Sequence, residues 1–452
     1  IVINMSPADI RKEGSAFDLP LAVGILGASG SISSEKFTSY MLMGELSLDG
    51  TVLPLKGALP MALMAKENGF KGFVLPAENA KEAAVVEGLE VYAVKNIRDV
   101  VSFFNNESNI QPTTVDLEKE FNESKSYFDL DFSEVKGQEN VKRALEIAAA
   151  GSHNILLAGP PGSGKSMLAK RMPSILPPFT IEEALETTKI HSVAGSTDVN
   201  HSLMFARPFR APHHSISNVA LVGGGSSPQP GEISLAHNGI LFLDELPEFN
   251  RSVLEVMRQP LENHTITISR SRYNVNYPSR FMLVAAMNPC PCGFHNHPDR
   301  ECVCAPGTVQ KYLNRISGPL LDRIDIQIEI SPVPFEKIAD RNSTESSEKV
   351  RERVVSARKI QHERFRNIKG VYSNSQMSGK LLHKFASPDA AGLKLLKTAM
   401  HRRSLSARAY DRILKVSRTI ADIDSSEDIK PIHLAEAINY RNLDRENWAF
   451  SK

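Results

Sequence analysis

The chain has 452 residues, 41% of them hydrophobic, and a formal net charge of +1 at pH 7. This length predicts about three domains with ordinary buried cores. The near-neutral charge excludes a global electrostatic attraction to nucleic acid, so any basic surface has to be local.

The same bulk features favour a cytoplasmic protein. No apolar run reaches the ~20 residues that a membrane span needs, and no secretory signal is visible. The four cysteines form one short cluster, which argues against a disulfide-stapled secreted protein. The chain starts at Ile1 rather than at a methionine, and we expect that its native N-terminus is missing.

Residues 1–104 alternate strand-like with helix-like segments and predict one α/β domain. The strand-like segments are Ile1–Ile3, Phe73–Leu75 and Glu90–Val94, and the helix-like segments are Leu19–Leu26, Ala58–Asn68 and Ala77–Glu87. Residues 105–126 are polar and lack a clear apolar pattern, which predicts a linker.

A phosphate-binding loop marks the next predicted domain, residues 127–332. The loop fits G-x-x-x-x-G-K-[ST] and follows the apolar run Asn154–Ala158, the strand context that this motif requires. Its glycines allow backbone N–H groups to close around phosphate oxygens, while Lys165 is expected to reach the β and γ phosphates and Ser166 to bind Mg²⁺. The predicted ATP-binding residues are Gly159, Pro160, Pro161, Gly162, Ser163, Gly164, Lys165, Ser166 and Asp244.

Two further strand-like runs end in polar residues suited to hydrolysis. Asp244 and Glu245 follow Ile240–Leu243; we expect Asp244 to hold Mg²⁺ and Glu245 to orient and polarise the attacking water. Asn288 follows Phe281–Met287 and is expected to bind the lytic water or the γ-phosphate. Because the carboxyl ends of parallel strands meet at one crevice, these residues predict a single ATP site.

Residues 333–452 predict a helical domain. Its clearest pattern is one apolar helix face formed by Leu405, Ala409, Ile413, Val416 and Ile420.

All four cysteines lie in one segment that predicts a metal site. Cys290, Cys292, Cys302 and Cys304 form two C-x-C pairs, with His295 and His297 between them. Two pairs of thiolates can close a tetrahedral zinc site, although this spacing is tighter than the usual one. Four reduced thiols in a loop are the alternative. A catalytic zinc is not expected, because the ATP site already supplies the chemistry.

The combined motifs resemble those of an AAA+ ATPase, and more narrowly the magnesium-chelatase-like branch called the YifB/ComM family. The strings Arg210–Ser215, Gly231–His237 and Ser317–Asp325 carry the narrower resemblance, together with Gln138 and Ser406–Arg408. It implies an α/β fold with an AAA+ P-loop parallel-sheet core and a helical lid, preceded by a Lon-protease-like α+β domain. It also implies a homo-oligomeric ring, expected to be a hexamer.

Two arginines receive roles from the resemblance. Arg323 matches the arginine finger, which reaches the γ-phosphate bound by a neighbouring subunit and contributes ~10³–10⁵ in rate. Arg408 matches the sensor 2 arginine of the lid, which in this branch is also expected from a neighbouring subunit. Arg315 lies eight residues before Arg323 and is a rival for the finger role.

Two segments are candidates for contact with DNA. The interval from Lys165 to Asp244 is long and resembles an insert in helix 2 of this branch, and Thr265–Pro278 has the alternation of a hairpin. The predicted nucleic-acid contacts near the hairpin tip are Arg270, Arg272 and Tyr273, which suit phosphates and bases without sequence readout. Packing at subunit interfaces is the open alternative.

His213 and His214 lie in the first of these segments. We expect adjacent histidines to point apart, which favours a structural or loop-contact role over a metal site.

Within residues 1–104, the strings Glu13–Asp18, Gly44–Gly50 and Leu75–Asn79 resemble a Lon-protease-like domain. The resemblance places Ala16 near the serine position of the protease dyad and Leu59 near the lysine position, so neither a nucleophile nor a base is present and no peptidase activity is expected. Ser15 and Lys56 lie nearby, and only a shifted register would bring them into those positions.

The resemblance implies an ATP-hydrolysing ring motor, with a DNA helicase or branch-migration role in recombination and natural transformation. Three alternatives stay open: a magnesium-chelatase-type ATPase subunit, an ATP-dependent protease and a nucleotide-dependent regulator.

Overall fold

The computed structural model describes residues 1–3, 14–107, 109–124, 128–225, 228–269, 274–297, 299–339, 344–403 and 405–441. The chain divides into two compact units. One comprises Ile1–Ser126 with Phe179–Ala206, and the other comprises Tyr127–Pro178 with Arg207–Lys452. Among the described residues, none of the helices combines the length and the apolar character of a membrane span.

The first unit contains a small parallel sheet. Its first segment has the strands β1 (Tyr40–Leu42), β2 (Glu45–Leu46), β3 (Val52–Leu53), β4 (Gly72–Pro76) and β5 (Glu90–Val94), and the helices α1 (Asp18–Ala28), α2 (Ala58–Glu67), α3 (Ala80–Ala83), α4 (Ile97–Phe104) and α5 (Leu117–Ser124). The sheet has the order β1-β4-β5 with parallel pairing, and β2 pairs with β3 in an antiparallel hairpin. The central strand β4 is buried along its whole length, as a strand covered on both faces should be.

Two predictions for this unit are wrong and one segment differs from its expectation. Ile1–Ile3 form no strand, and their side chains are exposed. The helix predicted over Ala77–Glu87 stops at Ala83, and Val85 and Val86 then enter the core from a turn. Residues 105–126, expected to be a linker, include the helix α5.

The chain continues with α6 (Glu139–Gly151), β6 (Ile155–Ala158), α7 (Lys165–Arg171) and α8 (Ile181–Ala194). Helix α8 belongs to the first unit, because that unit includes the segment Phe179–Ala206. Ala184 and Leu203 are buried in the same hydrophobic cluster as Leu59 of α2. Part of the long interval before Asp244 therefore completes the core of the N-terminal unit.

The remaining elements build the second unit. The strands are β7 (Phe209–Arg210), β8 (Gly223–Gly224), β9 (Gln229–Pro230), β10 (Ile240–Leu243), β11 (Thr265–Ser269), β12 (Asn274–Pro278), β13 (Met282–Met287) and β14 (Ile326–Glu329). The helices are α9 (Asn218–Val222), α10 (Glu232–Leu235), α11 (Arg251–Val256), α12 (Arg258–Asn263), α13 (Thr308–Leu313), α14 (Gly318–Leu321), α15 (Phe335–Ala339), α16 (Ser347–Phe365), α17 (Gly379–Phe385), α18 (Ala390–Arg403), α19 (Ala407–Ile423) and α20 (Pro431–Asn439).

The second unit is organised around a five-stranded sheet of order β14-β6-β13-β10-β7, in which every pair is parallel. In β6, Ile155 and Leu157 face one hydrophobic cluster, and Leu156 and Ala158 face the other. Burial on both faces explains why the central strands are continuous apolar runs rather than alternating ones. The predicted parallel α/β core is confirmed.

The strand register defines two edges of this sheet. Ile326 of β14 and Val284 of β13 both pair with Ile155 at the start of β6, and Glu329 and Met287 both pair with Ala158 at its end. Segments that follow β6, β10 and β13 therefore meet at the carboxyl edge. Segments that precede β6 and β14 lie at the amino edge, about 10 Å away along the strands.

The C-terminal helices pack on the same unit. The apolar face predicted in α19 is confirmed, since Ala409, Ile413, Val416 and Ile420 are at most 1% exposed. Ser406 caps this helix by accepting a hydrogen bond from the N–H of Ala409.

Candidate nucleotide-binding site

The phosphate loop connects β6 to α7 at the carboxyl edge of the sheet. Gly162 and Gly164 have φ angles of 77° and 88°, in the left-handed region that glycine tolerates and other residues avoid. Lys165 is the first residue of α7. The glycines thus fold the loop so that the helix begins directly at the predicted phosphate-binding lysine.

Lys165 and Asn288 come together at this edge, as the strand argument predicts. The Lys165 ammonium donates to the carbonyl oxygens of Gly159 and Pro160 at 2.8 Å and to Oδ1 of Asn288 at 3.2 Å. Burial lowers the pKa of Lys165 from its ordinary value, and the nearby carboxylates Asp244 and Glu245 oppose that shift. A partly dehydrated ammonium interacts more strongly with phosphate than one in bulk water.

Ser166 and Asp244 also meet. The Ser166 hydroxyl donates to Oδ2 of Asp244 at 2.6 Å, so a hydroxyl oxygen from α7 and a carboxylate oxygen after β10 converge on one point. Mg²⁺ prefers such oxygen ligands, in small number and combined with substrate phosphates. The donor set therefore fits a Mg²⁺ ion that accompanies a bound nucleotide.

Glu245 has a left-handed backbone conformation of the kind found at functional sites. Its φ is 53°, a left-handed value that costs free energy for a residue with a side chain and that clusters at functional sites. Its N–H donates to Oδ1 of Asp244 at 2.9 Å. The Glu245 side chain is 55% exposed, so water can reach the carboxylate.

His214, expected from the sequence to have only a structural or loop-contact role, is a further candidate residue. Its Nδ1 lies 3.5 Å from Oε2 of Glu245. The prediction that His213 and His214 point apart is wrong, because their rings lie 4.0 Å apart at an angle of 35°. The loop that follows the edge strand β7 brings His214 beside the residue that follows β10.

The two predicted trans-acting arginines lie at the amino edge of the sheet. Arg323 lies three residues before β14 and is 6% exposed; its guanidinium pairs with Glu262 and donates to the carbonyl of Pro319. Arg408, at the start of α19, pairs at 3.3 Å with Asp322. Neither side chain belongs to the cluster around Lys165 at the opposite edge.

The rival arginine has a different environment. The Arg315 side chain is 53% exposed and pairs with Glu248 at 2.8 Å. Glu248 follows Glu245 by one short turn at the carboxyl edge.

A buried ion pair fastens α19 to the amino edge. Asp325 is 1% exposed; it accepts hydrogen bonds from Arg412 at 2.8 Å and from the N–H of Asn154 at 3.1 Å. Burial alone raises the pKa of Asp325, but the charge of Arg412 and the imidazole of His153, whose Nδ1 lies 3.4 Å from Oδ2, hold it well below its ordinary value. Helix α19, which carries Arg408, is thus anchored to Asp325, the residue directly before β14.

The predicted hairpin is present as β11 and β12. Residues of β11 alternate between exposed and buried, and Ile266 and Ile268 pack in the cluster that also contains Leu221 of the insert. The Tyr277 hydroxyl donates to the carbonyl of Pro228 at 2.9 Å. The proposed DNA contacts Arg270, Arg272 and Tyr273 lie outside the described residues.

The four cysteines gather in the loop that follows β13. Their sulfur atoms all lie within 4.8 Å of one another, a group that could hold a metal ion.

The structure also shows the surroundings of Leu59, expected near the lysine position of the dyad, and of the nearby Ser15 and Lys56. The Leu59 side chain is completely buried. The Ser15 hydroxyl donates to the carboxylate of Glu45, and Lys56 packs against Gly195.

Comparison with known proteins places these features in one family. Residues 131–338 match the family described as Magnesium chelatase, subunit ChlI, residues 344–441 match its C-terminal family, and residues 1–79 match Subunit ChlI of Mg-chelatase. The competence protein ComM of Haemophilus influenzae is 42% identical over 98% of this chain and 86% of its own length. YifB of Escherichia coli is 42% identical over 98% of this chain and 85% of its own length. Lon protease 2 of Bacillus subtilis is 29% identical over 25% of this chain and 21% of its own length.

Proposed function

Because the chain belongs to the ComM/YifB family of magnesium-chelatase-like AAA+ ATPases, we propose that it hydrolyses ATP at the carboxyl edge of its five-stranded sheet. The observation that carries this proposal is the convergence of three strand ends. Ser166 meets Asp244 at 2.6 Å, and Lys165 meets Asn288 at 3.2 Å. A phosphate-binding lysine, two oxygen ligands and a polar sensor are the parts that phosphoryl transfer requires.

Each residue has a distinct task in this proposal. Lys165 binds the β and γ phosphates, and Ser166 and Asp244 hold Mg²⁺, which neutralises phosphate charge when it is bound. Glu245 orients the attacking water and accepts its proton, and Asn288 positions the water or the γ-phosphate. His214 holds the Glu245 carboxylate in place.

We further propose that the active site is completed by a neighbouring subunit in a ring, expected to be a hexamer. The position of Arg323 and Arg408 at the amino edge supports this, because their own phosphate loop lies at the other edge of the sheet. A guanidinium from the next protomer matches the spread negative charge of the transition state.

The proposed work of the ring is translocation on DNA and branch migration during recombination and natural transformation. Support comes from the relative named competence protein ComM and from the hairpin of β11 and β12. Arg270, Arg272 and Tyr273 are the proposed contacts to the DNA backbone and bases. The proposed role of the N-terminal unit is to assist assembly or DNA binding. It is proposed to have no peptidase activity.

Strand exchange on a three-way or four-way DNA junction tests this function. The full chain is compared with Glu245→Gln, which keeps the size of the side chain but removes the proton acceptor. We expect ATP-dependent rearrangement of the junction by the original chain only, together with stimulation of its ATPase activity by DNA. Equal rearrangement by both proteins would show that hydrolysis does not drive the work.

A magnesium-chelatase-type ATPase subunit is the second candidate, because the matched family descriptions name that enzyme over most of the chain. ATPase activity that is indifferent to single-stranded and branched DNA, with no strand displacement, would favour this candidate or a nucleotide-dependent regulator.

A further inference from the structure

The geometry of the four sulfur atoms matches the coordination shell of a single ion. The Sγ–Sγ distances are 3.3 Å for Cys290 and Cys292, 3.6 Å for Cys292 and Cys302, and 3.8 Å for Cys290 and Cys302. Cys304 completes the group within 4.8 Å of the others. Zinc–sulfur bonds of about 2.3 Å place the corners of a tetrahedron about 3.8 Å apart.

Disulfide bonds, an iron–sulfur cluster and simple packing each fit the four thiols less well. Disulfide sulfurs lie about 2.05 Å apart, and all four cysteines are free. In iron–sulfur clusters the four thiolates are divided among two or four iron atoms, which spreads the sulfurs beyond the shell of one ion. Simple hydrophobic packing would bury the thiols, but only Cys290 is buried and the other three are partly exposed.

A tight backbone turn follows the first C-x-C pair. Gly293 forms it, with a φ of 83° and an N–H that donates to the carbonyl of Cys290 at 3.0 Å. The turn directly follows Cys292, whose sulfur lies 3.3 Å from that of Cys290.

This cysteine loop, residues 290–304, also touches the phosphate loop. The backbone of Gly293 lies against the ring of Pro161, so closely that a Cβ at position 293 would lie 2.5 Å from Cδ of Pro161. The cysteine loop begins two residues after Asn288, which accepts the hydrogen bond from Lys165. One residue before Asn288, the carbonyl of Met287 accepts a hydrogen bond at 3.2 Å from the N–H of Gly159, the first residue of the phosphate loop.

We propose that Cys290, Cys292, Cys302 and Cys304 bind one structural Zn²⁺, and that the cysteine loop closed by this ion supports the phosphate loop through the contact of Gly293 with Pro161. The zinc site stands on the sulfur geometry alone. Its effect on nucleotide binding rests on the proposed function of the phosphate loop as an ATP site.

The zinc site is tested on the full chain purified without chelators or added metal. Elemental analysis should find about one zinc and no iron per chain, and the native protein should protect its thiols until a chelator is added. Since these are the only cysteines, thiol titration reports on this site alone. Replacement of the ion by Co²⁺ should give the visible absorption of a tetrahedral sulfur site. Four freely titratable thiols without metal, or iron in place of zinc, would overturn the assignment.

Matched variants identify the ligands. Cys302→Ser combined with Cys304→Ser should lose the zinc, whereas His297→Ala, on the same loop, should keep it. Loss of zinc in the histidine variant would contradict the four-cysteine assignment. The Co²⁺ spectrum of the unaltered chain keeps the assignment testable if the double variant does not fold.

The coupling to nucleotide is tested separately with a fluorescent ATP analogue. Gly293→Ala retains every cysteine, so it should keep its zinc and bind the analogue roughly tenfold more weakly, a change of about 1.4 kcal/mol. Unchanged binding by Gly293→Ala and by zinc-depleted protein would refute the coupling and leave the zinc site intact. If Lys165→Ala also bound the analogue normally, the proposed ATP site itself would fail, whatever the zinc content.

Discussion

The guanidinium of Arg408 lies 3.3 Å from the carboxylate of Asp322, the residue directly before Arg323. Two arginines that are far apart in the sequence therefore belong to one region of the molecule. That region precedes β14, whereas the phosphate loop follows the adjacent parallel strand β6. The pairing at the amino edge explains why both arginines are proposed to serve a neighbouring subunit rather than their own nucleotide.

The first prediction distinguishes the two candidate fingers. Arg323→Lys should lower kcat roughly 10³-fold, since an ammonium lacks the planar fork that binds spread phosphate charge. Arg315→Lys is the matched control and should change kcat less than about threefold, because its pair with Glu248 is exposed. Steady-state ATPase assays on the assembled protein measure both.

Thermal unfolding accompanies this comparison, because Arg323 is buried beside Glu262 and its replacement can destabilise the fold. A large loss of kcat in Arg315→Lys, with Arg323→Lys fully active and folded, would transfer the finger role to Arg315.

The second prediction concerns His214. His214→Ala should lower kcat roughly tenfold with an unchanged KM, a part of the ~10²–10⁴ that a well-positioned base contributes. The reason is that Glu245 loses the partner 3.5 Å from its carboxylate, while the phosphate-binding residues are untouched.

His213→Ala is the control for this experiment. The ring of His213 lies 4.0 Å from that of His214, but its Nδ1 hydrogen-bonds to Ser215 at 2.9 Å rather than to Glu245. Equal kcat losses in both variants, or a change confined to KM, would argue that the loop only has a packing role.

The third prediction addresses stability through Asp325. Asp325→Asn should lower the free energy of unfolding by about 3 kcal/mol at pH 7, because Arg412 loses its buried counter-charge. Asp322→Asn, which breaks the more exposed pair with Arg408, should cost less than about 1 kcal/mol. Urea denaturation of the two variants gives the comparison.

The same residue predicts a pH dependence. The pKa of Asp325 is lower in the folded than in the unfolded chain, so its contribution is fully present above the unfolded pKa of ~3.9 and is lost as the pH falls below it. The difference in stability between the original chain and Asp325→Asn should therefore be constant from pH 7 to about pH 5 and shrink below about pH 4. A difference that grows toward acid pH would have the wrong sign.

The fourth prediction is the absence of peptidase chemistry in the N-terminal unit. A serine-reactive probe should label the full chain no more than it labels Ser15→Ala, because the residues expected near the dyad positions, Ala16 and Leu59, supply neither a nucleophile nor a base. Ser15 donates to the Glu45 carboxylate, and Lys56 packs against Gly195. Stoichiometric labelling that disappears in Ser15→Ala would overturn this view.

The sequence predicts best those features that depend on local pattern. The strands before the phosphate loop and before Asp244 are apolar on both faces, so a run of consecutive apolar residues predicts their burial. The meeting of Lys165 with Asn288 follows from parallel strand ends alone. The helix face around Ile413 follows from spacing.

Contacts between distant segments could not be predicted in this way. Helix α8 contributes Ala184 to a hydrophobic cluster, but its sequence does not indicate that this cluster is the one around Leu59 rather than a core of the second unit. Likewise, no local pattern indicates that His214 approaches Glu245 or that Arg323 pairs with Glu262. These pairs depend on how loops from separate strands are arranged in space.

In the proposed ring, one protomer supplies the phosphate loop and the next supplies the arginine. Mixing two variants with complementary defects tests this arrangement. Lys165→Ala lacks the loop lysine but retains Arg323, and Arg323→Ala has the opposite defect. Each protein alone should be nearly inactive, whereas an equimolar mixture should hydrolyse ATP well above the sum of the two, because mixed rings contain seams with both intact parts. If both variants assemble together and the mixture stays as inactive as its components, the shared active site is contradicted.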